Sequence, residues 1–253
     1  MSEIVKWRSL LLASIDITGL FYGRDGGHSK GPLASLNLSA TEGDDPRAVA
    51  ANEQLVLADL RADGLYLPAQ VHGIKPEIVG NPARGVVRGS EADSAWTALP
   101  CIAVGVLTAD CVPILLAHES GSFVGAIHAG WRGLFGGVIG RGIERACRVF
   151  RAQPGELLAA IGPTIDRENY EVDAELAQKF LRKKADLGGV IWPDRRRKPR
   201  LDLRMMALAD LRQNGLCGGC IELVGPSTSD PRCFSHRLSG GRTGRQLAAV
   251  VKL

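Results

Sequence analysis

Apolar residues along the chain fall into two rhythms. Short continuous runs occur at 64–71, 101–107, 112–117, 123–127, 156–161 and 221–224. Runs of this length rich in Val, Ile and Leu predict buried strands. The pair at 112–117 and 123–127 is separated by His118-Glu119-Ser120-Gly121-Ser122 and predicts a β-hairpin, fed by the run before it. Residues 4–22 read as one or two strands broken near Thr18-Gly19. The second rhythm is helical. Asp44-Asp45-Pro46 supplies a carboxylate cap and a proline for the first turn, and Ala48, Leu55, Val56 and Leu60 then mark one buried face. Val138, Ile139, Ile143, Ala146, Val149 and Phe150 predict a helix within 134–152. Two more follow, at 174–184 behind Asp173 and at 203–213, stopped by Asn214-Gly215.

The hairpin carries candidate chemistry at its open end. A loop centred on Glu119-Ser120 sets Cys111 opposite His128. Directly opposed Cβ atoms lie roughly 4.5–5.5 Å apart, a span one metal ion can bridge. The third candidate ligand is His72, at the end of the 64–71 run. Of the five histidines (28, 72, 118, 128 and 236), only His72 and His128 end apolar runs and precede Gly or Ala-Gly. The competing reading makes each a hydrogen-bonded strand-end histidine, and Cys111 a small buried hydrophobe.

Further motifs show how the chain resembles a known family. Thr108-Ala109-Asp110-Cys111-Val112-Pro113 is followed by His128-Ala129-Gly130-Trp131-Arg132-Gly133. Gly23-Arg24-Asp25-Gly26-Gly27, Ser35-Leu36-Asn37-Leu38, Gln70-Val71-His72-Gly73, Ile161-Gly162-Pro163, Tyr170-Glu171-Val172 and Thr243-Gly244-Arg245 flank them in order. The set resembles the laccase-domain proteins, also called the multicopper polyphenol oxidase family. That resemblance implies an α+β fold in four layers, α/β/β/α, with two mixed β-sheets between helices and a cleft at the sheet rim. It implies a metal-binding and catalytic set of His72, Cys111 and His128, and Arg24 and Asn37 as cleft residues. It also implies purine nucleoside phosphorylase, adenosine deaminase and methylthioadenosine phosphorylase activities. The sequence departs from the family pattern at Glu53, His28, His236 and Leu238.

Other residues take candidate roles around this set. Asp93 is a candidate acceptor for the second N–H of a ligand imidazole, or an exposed loop carboxylate. Asp110 is placed to fix its turn by accepting backbone N–H bonds. Arg132, at a helix start, is a candidate anion contact, and Arg24 sits in a glycine-rich loop that suits either an anion or a surface turn. Trp131 reads as a cleft wall for a base or as a core residue. Cys233 is a candidate cleft thiol. Cys217-Gly218-Gly219-Cys220 reads as structural, because no second Cys pair completes a zinc site.

Composition narrows the function classes. With 253 residues and 45% hydrophobic content, the chain can bury a large core as one domain spanning 1–253. A net charge of +4 and 5% aromatic content give no basic, aromatic-rich nucleic-acid surface. The run Arg195-Arg196-Arg197-Lys198 is read as a solvated connector. Six cysteines without framework spacing predict no disulfides, and no apolar stretch is long enough for a signal core or membrane span. A cytoplasmic location is expected. The expected function is a Zn²⁺-dependent enzyme, with copper as the alternative metal, acting on a purine nucleoside and phosphate. The rivals are a copper phenol oxidase, a metal-free Cys111–His128 hydrolase and a non-enzymatic binding protein.

Overall fold

The central continuous apolar runs become strands buried on both faces, whereas the run at 221–224 becomes an edge strand with Leu223 exposed. The computed structural model describes residues 3–81, 84–191 and 198–253, and Arg195, Arg196 and Arg197 of the expected connector lie outside the described residues. In chain order the elements are β1 (Lys6–Arg8), α1 (Leu10–Ala13), β2 (Ile17–Tyr22), α2 (Pro46–Leu60), β3 (Gly64–Ala69), β4 (Pro76–Ile78), β5 (Gly85–Glu91), β6 (Ser94–Thr97) and β7 (Ile102–Thr108). Then come β8 (Val112–His118), β9 (Val124–Ala129), α3 (Trp131–Gly136), α4 (Val138–Phe150), β10 (Leu157–Ile161), α5 (Ala174–Lys183), β11 (Val190–Ile191), β12 (Arg200–Leu201), α6 (Leu203–Gln213), β13 (Ile221–Leu223) and β14 (Gln246–Lys252).

Two six-stranded mixed sheets result, in the orders β1-β2-β14-β7-β3-β5 and β13-β10-β8-β9-β6-β4. Strands β7, β3 and β5 run parallel, so their carboxyl ends share one rim. Between the sheets lie Phe21, Val104, Val106, Ala248 and Val250 from the first and Leu115, Ala117, Val124, Ala126 and Ala160 from the second. Beyond the first sheet, Leu65, Leu67 and Leu247 pack against Val56, Leu57 and Leu60 of α2. Beyond the second, Ile114, Leu116 and Ile127 pack against residues of α4 and α6. The expected four layers, α/β/β/α, are therefore present. The period of two explains why β8 reads as one apolar run: Ile114 and Leu116 serve the outer face, Leu115 and Ala117 the inner. Each fully buried Leu or Ile contributes about 1.5–3 kcal/mol.

Several sequence expectations need correction. Thr18-Gly19 lies inside β2, and the break comes earlier, at α1. Ser9 caps α1 by accepting from Leu12 N, while Glu222 of β13 accepts from Leu10 N and Leu11 N. The single helix expected over 134–152 is two helices, α3 and α4, parted at Gly137 with φ 84°. The hairpin pairing is shifted by two residues from the expected one, with Pro113 opposite His128 where Cys111 was expected, and Val112 opposite Ala129. Cys217 and Cys220 form a disulfide across a short 3₁₀ turn, where a disulfide-free chain was expected. That turn sets their Cα atoms 5.1 Å apart, within the ordinary span of a bridge.

Gly125 shows how tightly the second sheet is packed. It pairs with Trp96 across β9 and β6, and a Cβ at position 125 would collide with the fully buried indole ring. Gly125→Ala is expected to cost about 1–3 kcal/mol through overpacking. The measurement is a lowered urea midpoint at unchanged m-value, and an unaltered midpoint would contradict the account.

Candidate active site and metal centre

The shared rim of β3, β5 and β7 opens into a cleft of about 620 Å³, lined by Leu67, Gln70, Thr108, Trp131, Tyr170 and the three candidate ligands, among others. This volume suits a small organic ligand. Carboxyl ends of parallel strands are where open sheets usually bind ligands.

His72 lies just past β3 with a left-handed backbone, φ 57°. A residue bearing a Cβ pays for that conformation, so something must hold it. The carboxylate of Asp93 does so, accepting from His72 N at 3.0 Å, Gly73 N at 2.6 Å and Val71 N at 3.3 Å. The same carboxylate accepts from His128 Nδ1 at 2.8 Å. An ionised carboxylate only accepts, so Nδ1 carries a proton, and Nε2 is the ring nitrogen left to face Cys111. Asp93 is fully buried, and its expected role as an imidazole acceptor is what the structure shows. Its carboxyl stays below the usual range although burial pushes it up, because the His128 bond and charge and the backbone donors favour the anion.

Cys111 precedes β8, two residues beyond the Pro113–His128 pair. Its thiol therefore reaches His128 diagonally on the same face rather than from directly opposite. Its sulfur lies 4.0 Å from His72 Nε2. One ligand atom from each of His72, Cys111 and His128 falls within 4.8 Å of the others, and the two imidazole rings meet edge to face at 4.9 Å. Gly130 keeps this space open, since a Cβ there would stand 2.9 Å from the Cys111 sulfur and 3.1 Å from the His72 ring.

The charges in this cluster sustain one another. Burial pushes the Cys111 thiol up, but the His128 charge and the hydrogen bonds of His128 and His72 outweigh it and leave the pKa at about 6. Burial pulls His128 down, yet the thiolate and the Asp93 bond raise it to about 9. Between those values the ion-free cluster is a thiolate beside an imidazolium. A thiolate and two imidazoles converging on one point, one ring oriented by a carboxylate, form a donor set that can bind a metal.

Asp110 has φ 104° and is nearly buried. Its carboxylate accepts from Thr228 Oγ1, Ser235 Oγ and Arg237 N at 2.6, 2.6 and 2.7 Å. Most of its partners are thus distant side chains and not the backbone of its own turn. The bond to Arg237 N brings the 235–238 segment to the cleft, where His236 and Arg237 form one wall. Arg132 lines the cleft as expected, its guanidinium over the Trp131 ring at 4.7 Å, and Arg237 lies over Tyr170 at 4.8 Å.

Arg24 and Asn37 do not line the cleft. Arg24 Nε donates to Ala34 O, and its guanidinium lies over Phe234. Asn37 is buried and ties the 37–44 loop to Arg245 N. Cys233 is also no cleft thiol. It is buried, and burial with the Asp230 charge pushes it up to about 12. Sequence reasoning gave no site role to Arg88, Tyr170, Arg237 and Arg245. Tyr170, Arg237 and Arg245 stand in or beside family motifs, whereas Arg88 lies in a strand whose sequence bears no motif.

The family model described as multi-copper polyphenol oxidoreductase laccase matches residues 18–252. A Deinococcus radiodurans protein named purine nucleoside phosphorylase is 36% identical over 91% of this chain and 87% of its own. A Pseudomonas aeruginosa protein of the same name is 34% identical over 90% of both chains. The crystal structure of YlmD from Geobacillus stearothermophilus superposes with a TM-score of 0.88 at 28% identity, covering 100% of this chain and 98% of that one.

Two measurements test the cluster. Asp93→Asn keeps only part of the acceptor set and should weaken metal binding roughly tenfold or more in a chelator competition; unchanged affinity would remove Asp93 from the site. In chelated protein, alkylation of Cys111 by iodoacetamide should accelerate as pH rises through about 6, with Cys111→Ser as the blank. A midpoint near that of a free thiol, about 8.5, would deny the charge pairing.

Proposed function

The chain belongs to the multi-copper polyphenol oxidoreductase laccase family, and on that footing we propose that it is a purine nucleoside phosphorylase with a zinc-loaded His72, Cys111 and His128 centre. The observation that carries this reading is the meeting of those three side chains at the floor of a cleft that also presents guanidinium groups. Relatives named purine nucleoside phosphorylase, matching along nearly the whole chain, support it. The expected substrates are adenosine, inosine or methylthioadenosine with inorganic phosphate. Adenosine deamination belongs to the same proposal, and its setting is a reducing cytoplasm, where Cys111 stays reduced and able to bind metal as a thiolate.

The donor set favours zinc. One thiolate with two imidazoles matches three-ligand catalytic zinc sites. When bound, zinc supplies Lewis acidity and activates water at neutral pH. The multi-copper alternative asks for further histidine clusters. Among the described residues one cluster occurs, with His118 hydrogen-bonded to Ser120 on the loop at the far end of β8 and His28 beside a separate depression. In phosphorolysis a phosphate oxygen bonds to the ribose carbon as the C–N bond breaks. The base leaves with the bonding pair and the proton of the attacking P–OH. Within the chain, Trp131 walls the cleft for a planar base, Asp93 fixes the His128 ring, and Arg132 offers its charge to the phosphate. A second reading, a metal-free cysteine hydrolase, is favoured by the approach of Cys111 to His72 and His128.

Incubation of tag-free protein with inosine and phosphate should release hypoxanthine and ribose 1-phosphate. Activity should vanish with a chelator, return with zinc, and be lost in Cys111→Ala. Release of base without phosphate would defeat the phosphorylase reading, and full activity in chelated protein that alkylation abolishes would favour the hydrolase.

A further inference from the structure

The cleft is lined by four guanidinium groups that are not equivalent. Arg88 is bonded to Glu53 and to Leu38 O, and Arg245 is paired with Glu42 and bonded to Thr243 O and Gly244 O. Their charge is already met by a carboxylate. Among the described residues, neither Arg132 nor Arg237 has a carboxylate within ion-pairing distance, and each guanidinium lies over an aromatic ring. A guanidinium over a ring keeps its N–H edge in the plane, where it can fork onto two oxygens.

Arg237 is also the better anchored of the two. Its Nη1 donates to Glu171 O at 2.8 Å, and its ring partner Tyr170 lies in the same strip of chain. Its backbone N donates to the Asp110 carboxylate, whose other oxygen takes the Ser235 hydroxyl, and Ser235 Oγ accepts from Leu238 N at 3.2 Å. Asp110 is the residue before Cys111. The turn that delivers the thiolate therefore also fixes where Arg237 stands.

Resting on the phosphorylase reading, we infer that Arg237 is the phosphate-recognising residue of this cleft, with Arg132 as its second cation and Asp110 as the positioning residue that holds it. A tetrahedral oxyanion on Arg237 would then stand at a fixed place relative to a nucleoside at the cluster, which is what an in-place attack requires. Arg237 thereby favours phosphate over water as the attacking species.

The test uses zinc-loaded full-length protein, with inorganic phosphate as the probe in calorimetry and as co-substrate with inosine. Arg237→Gln should raise the KM for phosphate and weaken its binding by roughly tenfold or more, with the inosine KM nearly unchanged. Arg237→Lys should recover part of the loss, and it carries the same test if Arg237→Gln does not fold. Asp110→Asn should give a weaker form of the same split at unchanged zinc content, whereas a merely structural role would lower kcat and both affinities together. A folded Arg237→Gln with wild-type phosphate affinity overturns the inference, as does a phosphate effect found in Arg24→Gln and absent in Arg237→Gln. Phosphate binding that depends on Arg237 in a protein that splits none of inosine, adenosine and methylthioadenosine upholds the inference and defeats the phosphorylase reading.

Discussion

The candidate site depends on one buried carboxylate. Placing Asp93 out of water would be costly without compensation, and four donors supply it: three successive backbone N–H groups and the His128 ring. These donors come from two places, the turn after β3 in the first sheet and β9 in the second. Asp93 itself immediately precedes β6, and its backbone is bound on both sides, donating to Lys75 O and accepting from His128 N. One charge thus fastens the rims of the two sheets to each other. It also sets the left-handed turn at His72 and the tautomer of His128, so the spacing of the ligands follows from it.

Around that fastening the cleft divides by chemistry. The end near the cluster carries the thiolate, the imidazoles and two guanidiniums without carboxylate partners. The other side, built from β3, β5 and the 39–42 loop, carries arginines already matched to Glu42 and Glu53. Glu53 of α2 neutralises Arg88. Asp110 supports the reactive end as Asp93 does, but by collecting side chains from residues 228 and 235 instead of successive N–H groups.

Much of the fold was legible because local signals agreed. The Asp45-Pro46 cap gave the start of α2, and Asn214-Gly215 gave the end of α6. The trio was legible too, from strand ends and family motifs. Register was harder to read: a hairpin loop rich in Gly and Ser fits alignments two residues apart, and a shift of two leaves every side chain on the same face, so the inside-outside pattern does not choose between them. Arg24 was expected in the cleft because the family resemblance singles it out, whereas its glycine-rich loop suited a surface turn equally well; its guanidinium lies over Phe234, outside the cleft lining. The bond between Asp110 and Arg237 escaped notice because it spans 127 positions, and no local pattern encodes such a contact.

Strand β14 gives the architecture a temporal order. It lies between β2 and β7 in the first sheet, paired with both, so the N-terminal strands join the parallel group only through residues 246–252. During synthesis, the three ligands and Asp93 emerge from the ribosome long before that strand does. Until it inserts, β7 has an open edge, and Gln246 is not yet in place to accept from Phe234 N in the segment that carries Arg237. The metal-ligand half of the cleft can begin to form as a nascent-chain structure, while the anion-facing half waits until Arg237 and the strand after it have also been translated.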